Sequence, residues 1–254
     1  MLFNSYVFIF AFLPIAMILY YGLNNLGWYA AAKTALIILS IFFYGYNKPQ
    51  YALILCGSIV LNYGLHYVLT EEKQGAGLRK TCLVFGIIFN LGLLGYFKYL
   101  GFFTVNINKL LGSDFSVMQI ALPLGISFFT FQQVSFVIDS YYRNTSRYGI
   151  IDYALFVSFF PQLVAGPIER SKNLLTQLKT IKPFDVKRTE EGLLTIAYGL
   201  FLKIVIADNI SSVIDPVFKD VASYTGFATK KQYAPALPAK ITAVSIITSN
   251  LFFK

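Results

Sequence analysis

Long apolar runs, interrupted at intervals by short polar clusters, set the pattern of this chain. A helix needs about 20 mostly apolar residues to cross the hydrocarbon of a bilayer. Runs of that kind lie at roughly 6–23, 29–46, 51–70, 81–103, 120–142, 151–168 and 192–210. Turn signals separate them: Asn24-Asn25, Asn47-Lys48-Pro49, Gly75-Ala76-Gly77 and Asn144-Thr145-Ser146. No internal repeat and no low-complexity tract is visible. The pattern predicts an all-α, polytopic transmembrane protein.

One run departs from a plain spanning helix. Residues 156–170 are apolar but carry Pro161, Pro167, Gly166 and Gln162, and they end on Glu169-Arg170. Proline removes a backbone donor, and in lipid a freed backbone group must find a partner in protein or in a water-filled cavity. This stretch is therefore expected to line something.

The basic loops bear on how it does so. Loop 71–80 holds Lys73, Arg79 and Lys80, and loop 143–150 holds Arg143 and Arg147. Segment 169–191 holds Arg170, Lys172, Lys179, Lys182, Lys187 and Arg188. Two spans separate the first loop from the second, so both can be cytoplasmic. Only run 151–168 separates the second from the third. A full crossing would place the most basic segment outside, against the usual bias of basic loops toward the cytoplasm. A re-entrant element, entering and returning on one side, removes the conflict. Counting back from loop 71–80 puts the N-terminus outside. In segment 168–181, Ile168, Leu174, Leu175, Leu178 and Ile181 form a helical apolar stripe beside Lys172, Lys179 and Lys182. That pattern predicts an amphipathic helix in the cytoplasmic interface, with a helix in a soluble loop as the alternative.

Composition agrees with the membrane class. Of 254 residues, 56% are hydrophobic and 13% charged, against about 25% charged in an ordinary soluble domain. No charge precedes Lys33, so the N-terminal run lacks the basic start of a secretory signal and reads as a retained first span. The net charge of +9 reports loop orientation rather than nucleic-acid binding. Cys56 and Cys82 lie in apolar runs without ligand spacing, which argues against a disulfide framework or a metal site.

Polar residues inside apolar runs each need an explanation, because a charge at mid-bilayer costs about 2.5–3.5 kcal/mol. Lys33 and Lys98 sit toward span ends, where their heads can snorkel to the headgroups. Lys203 is flanked by apolar residues and faces protein or a wet cavity, as an ion pair or on a substrate path. Asp139 and Arg143 have the i, i+4 spacing of a helical pair. Gln132 and Gln133 can tie helices together or hold a polar substrate group. His66, the only histidine, has no carboxylate or serine at a suggestive spacing and reads as a satisfied interfacial residue.

Taken together, residues 156–170, Leu122 to Gln132, Val137 to Arg143, Lys98 to Phe103 and Gly199 to Asn209 resemble the signature stretches of the membrane-bound O-acyltransferases. The likeness is to the branch typified by the alginate O-acetylation protein, and it runs from residue 1 to about 228. It implies a helical shell around a tunnel open to both sides of the bacterial inner membrane. The donor would be acetyl-CoA or another acyl thioester arriving from the cytoplasm, and the acceptor a cell-envelope polysaccharide. An extracytoplasmic acetyltransferase partner is implied, and no bound cofactor or metal. Candidate substrate-binding residues are Gln132, Gln162, Glu169, Arg170 and Lys203. Arg170 and Lys172 could attract the phosphates of coenzyme A or only set topology.

The chain also departs from the family. Members are nearly twice as long, and their essential histidine, which His66 does not match, follows the last motif found here. Residues 229–254 lose the likeness, turn polar and proline-bearing, and carry an apolar run (241–253) short for a crossing. The expectation is an N-terminal fragment with an aberrant tail, inactive alone. The competing reading is a non-enzymatic transport or scaffold module, since broken polar helices also mark transport sites. The re-entrant element is directly testable: cysteines placed at Thr145 and Lys172 should react with an impermeant maleimide from the same face, and labelling from opposite faces would contradict it.

Overall fold

A computed structural model describes residues 1, 3–116, 120–163, 166, 171–179, 183–211 and 214. The described residues are helical, without strands. Helix α1 spans Phe8–Asn25, α2 Tyr29–Gly45, α3 Pro49–Thr70 and α4 Ala76–Leu111. Helix α5 spans Ile126–Tyr141, α6 Ile150–Ser158, α7 Phe160–Leu163 and α8 Ser171–Lys179; α9 runs Val186–Ser211. Four of these, α1, α3, α4 and α9, are long and apolar enough to cross a membrane.

The sequence explains most boundaries. Pro49 starts α3 at a position where its missing N–H costs nothing. The Asp185 carboxylate caps α9, accepting from the N–H groups of Lys187 (3.0 Å) and Arg188 (3.3 Å). Run 120–142 yields a helix only from Ile126, because Pro123 precedes it and Gly125 adopts φ 72° at its N-cap. Run 81–103 instead grows at both ends into the 36-residue α4. A π-helical turn, Gly95–Tyr99, interrupts α4, and Lys98 lies in it, its ammonium 5.4 Å from the Tyr99 ring centroid and 3.4 Å from Ser127 Oγ.

Helix α3 is central: it packs against α2, α4, α5 and α6. A fully buried polar layer ties it to α4 and α5. Asn90 Nδ2 donates to Asn62 Oδ1 (2.7 Å), Asn62 Nδ2 donates to Gln133 Oε1, and Gln133 Nε2 donates to Ser58 Oγ (3.1 Å). Gly86 lets α4 approach, since a Cβ there would meet Leu65 Cδ1 at 2.9 Å and Val137 Cγ1 at 3.1 Å. Gln133 thus ties helices together, one of the two roles open to it from the sequence.

The bundle has two distinct ends. At one, Arg79 donates to the carbonyls of Leu69 (3.2 Å) and Tyr141, closing the last turns of α3 and α5. Beside it Arg147 pairs with Glu71 at 3.2 Å and lies over the Tyr67 ring at 4.0 Å. Loops 71–75 and 142–149 therefore meet at this end. Lys33 in the first turns of α2 pairs with Asp152 in the first turn of α6 at 2.6 Å. Lys33 is thus an ion-pair partner as well as a residue near a span end. The expected Asp139–Arg143 pair is not formed: α5 stops at Tyr141, and Arg143 turns to φ 57°, which destroys the i, i+4 geometry. This end carries Lys73, Arg79, Lys80, Arg143 and Arg147 and is called the basic end below.

Removing one member of the polar layer strands the others. Gln133→Leu is expected to lower stability by about 1–2 kcal/mol, read as a lower thermal-unfolding midpoint in detergent. An unchanged midpoint would show that the layer does not hold α3 to α5.

Candidate functional site at the interrupted helix

Helix α6 starts at the basic end and stops after nine residues. At 1.5 Å per residue it is about 14 Å long, roughly half the hydrocarbon thickness of about 30 Å. The chain breaks at Phe159 (φ −50°, ψ 106°) and then makes one further turn, α7. The i to i+4 hydrogen bond that would join Phe156 to Phe160 is replaced on both sides. Gln132 Nε2 of α5 donates to the Phe156 carbonyl at 3.0 Å. The Phe160 N–H donates to Ser40 Oγ of α2 at 3.2 Å, while that hydroxyl donates to the Leu36 carbonyl at 2.7 Å. Pro161 has no N–H to offer residue 157, so the helix cannot simply resume.

Packing fixes the break in place. The Phe160 ring sits among Phe8 (6.0 Å between centroids), Phe12 (5.1 Å) and Phe43 (5.6 Å). Phe43 lies in the last turn of α2, so the chain has moved well away from the Lys33–Asp152 pair. Gln162 is buried, and its carbonyl accepts from the Gly166 N–H at 2.9 Å. A Cβ on Gly166 would lie 2.6 Å from Gln162 Cα, so only glycine permits this approach.

The chain then returns. Helix α8 packs against α6, with Leu174 and Leu175 buried. The Phe184 ring stacks edge-on against Tyr21, 5.3 Å between centroids, just before the turn from α1 to α2. Asp152 and Phe184 therefore lie at the same end of the bundle. The described ends of segment 150–184 thus lie on one side of the bundle, as a re-entrant element requires. The amphipathic stripe expected in 168–181 places Leu174 and Leu175 on protein; Ile168 and Ile181 lie outside the described residues.

The candidate residues are thus distributed unevenly. Gln132 and Gln162 both serve the interruption. Glu169 and Arg170 lie outside the described residues. Lys203 stands apart in α9, where a π-helical stretch, Leu202–Ala207, brings it to Asp208 at 3.0 Å. That is the ion-pair reading of the two open to it. His66 is buried with both ring nitrogens engaged: Nδ1 lies 2.8 Å from Ser140 Oγ, and Nε2 accepts from the Tyr148 N–H at 3.3 Å. Because Nε2 accepts, Nδ1 carries the proton, and Ser140 Oγ accepts it while donating to the Phe136 carbonyl at 2.7 Å. Sequence reasoning missed Ser40 and the Asn62–Asn90 pair. Their signal was present, as polar residues in mid-run.

Four long apolar helices around an interrupted, protein-enclosed one define the class as a multi-pass membrane protein. No protein-family model matches the chain. It is 36% identical to the peptidoglycan O-acetyltransferase of Helicobacter pylori, over 88% of this chain and 47% of that protein. It is 34% identical to the probable alginate O-acetylases AlgI of Pseudomonas aeruginosa and Pseudomonas syringae, over 86% of this chain and 42% of each. The chain is thus homologous to O-acetyltransferases of the membrane-bound O-acyltransferase family, and it spans less than half the length of these relatives.

The two clamps on the break should be coupled. Ser40→Ala and Gln132→Leu are each expected to cost about 1–3 kcal/mol, because each strands a buried backbone group. The double variant should cost less than their sum, since both serve one broken bond. Strict additivity in a double-mutant unfolding cycle would contradict this.

Proposed function

We propose that this chain takes part in transferring acetyl groups from a cytoplasmic acyl thioester, acetyl-CoA in the simplest case, to a cell-envelope polysaccharide of the alginate or peptidoglycan type. The observation that carries the reading is the interrupted helix, held open inside protein, in a chain homologous to O-acetyltransferases. Backbone of this kind is tolerated at membrane depth only where it is buried in protein or lines a cavity. On this reading segment 150–184 walls a passage in which donor and acceptor arrive from opposite compartments. Proximity and the exclusion of water then contribute to the rate.

Gln132 holds the wall open through Phe156, and Gln162 forms the buried turn beyond it. Glu169 and Arg170, next along the chain, are assigned to contact with the donor by the family resemblance alone. Lys203, paired with Asp208, stands as a secondary candidate. His66 is not the base: its Nε2 lone pair is already taken by a backbone N–H. The reading assigns the general base to a residue this chain does not contain, and the chain alone is expected to be inactive. The basic end faces the cytoplasm by the bias of basic loops, which puts the N-terminus outside a bacterial inner membrane. A separate extracytoplasmic acetyltransferase would take the acetyl group onward.

Deleting the gene in the source bacterium should lower the ester-linked acetate that mild alkali releases from its envelope polysaccharides, by at least half. Unchanged acetate would contradict the proposed reaction. Membrane vesicles carrying only these 254 residues, given labelled acetyl-CoA and polysaccharide, should transfer no label above background. Robust transfer would contradict the assignment of the base.

A further inference from the structure

At the basic end, loops 71–75 and 142–149 enclose a cleft of about 440 Å³ lined by Glu71, Glu72, Lys73, Arg143, Thr145 and Arg147, with Thr70 at its edge. Not all of these charges are free. Arg147 is held by Glu71 at 3.2 Å and by the Tyr67 ring, so that pair is neutral and forms a fixed wall. Arg143 and Lys73 are exposed and form no ion pair among the described residues. Glu72 is the one remaining carboxylate of the lining. The free charge of the cleft is therefore positive.

Two further features point to an anion. Arg143 has φ 57°, the left-handed conformation that follows a helix end and that glycine adopts without strain. Its backbone is held there by its own N–H to the Ser140 carbonyl (3.2 Å) and by the Asn144 N–H to the Asp139 carbonyl (2.9 Å). Glycine would serve this turn better, so what the position gains from arginine is the side chain. Thr145, two residues on, is 9% exposed, and its hydroxyl has no hydrogen-bond partner. An unpaired buried hydroxyl is costly, and Thr145 lines the same cleft as the free guanidinium.

We propose that this cleft, lined by Lys73, Arg143 and Thr145, binds a phosphate group. A guanidinium fork, an ammonium and a hydroxyl together match the several acceptor oxygens of a phosphate ester. The phosphate belongs either to a soluble cytoplasmic ester or to a phospholipid headgroup, and the chemistry of recognition is the same. Occupancy would steady loop 142–149, which leads directly into α6 and so into the interrupted helix. The site stands independently of the acetyl-transfer reading, and failure of the acetate measurement would leave it intact.

The test uses the full chain in nanodiscs, with inorganic phosphate and phosphatidylglycerol as probes. In phosphatidylcholine discs, thermal unfolding is followed as phosphate replaces chloride at constant ionic strength. In the second arm, phosphatidylglycerol is titrated into the discs, and lipid retained by the protein is counted by native mass spectrometry. Saturable stabilisation by inorganic phosphate identifies a soluble ester, and saturable retention of phosphatidylglycerol alone identifies a headgroup. Arg143→Gly removes the guanidinium at a backbone conformation glycine accepts, and Thr145→Val removes the hydroxyl at constant shape. Each is expected to raise the half-saturating concentration at least tenfold, with R143G unfolding no earlier than the parent in the absence of ligand. Should R143G fail to fold, T145V decides by the same criterion. No saturable response in either arm, or a response undiminished in the variants, would overturn the site.

Discussion

The structure turns on one hydrogen bond that is not made. Between Phe156 and Phe160 the helical ladder is cut, and both halves of the cut are satisfied by side chains of other helices. In water such a break would cost little. In a bilayer each freed group must be paired inside the protein, so the break commits Gln132 of α5 and Ser40 of α2 to fixed places. Once those are fixed, α6 is anchored between α2, α3 and α5, and the chain beyond Phe159 is free to turn back. The Phe8, Phe12, Phe43 and Phe160 rings then fill the space around the turn.

A second constraint acts beside the first. The amide layer of Asn62, Asn90 and Gln133 joins α3, α4 and α5 in mid-bundle, while Arg79 and Arg147 join the same elements at the basic end. Helix α5 is therefore held at two levels, and Gln132, next to Gln133, inherits that rigidity. His66 belongs to this scaffold. Its hydrogen bonds to Ser140 and Tyr148 link α3 to the end of α5 and to the last residues of the loop before α6. The histidine that might have suggested proton transfer is a strut.

Much of this was legible in the sequence, for identifiable reasons. Apolar run length located the helices, and Pro161 with Gly166 marked the interruption. The charges of three loops told which way the interrupted segment must leave, and the Tyr21–Phe184 contact agrees. What could not be read is which residues meet. Ser40 and Phe160 are 120 positions apart, Gln132 and Phe156 are 24 apart, and no local pattern fixes the register between separate helices. Asp139 and Arg143 failed as a pair for a local reason: the helix ends between them, and the arginine lies left-handed. Apolar content alone extends the span over residues 120–125, whereas Pro123 and Gly125 delay the helix to Ile126. Local sequence points Lys33 to the headgroups alone, because its partner, Asp152, lies in a different run.

The central claim is that the chain goes in at residue 150 and is back at the same end by residue 184. Oxidative cross-linking tests it most directly, in a background with Cys56→Ser and Cys82→Ser. A cysteine at Phe184 should form a disulfide with one at Tyr21, near the turn that joins α1 to α2, and not with one at Phe43, at the far end of α2. Cross-linking to position 43 and not to position 21 would mean that the segment crosses to the other side, and the account of the interrupted helix would be wrong.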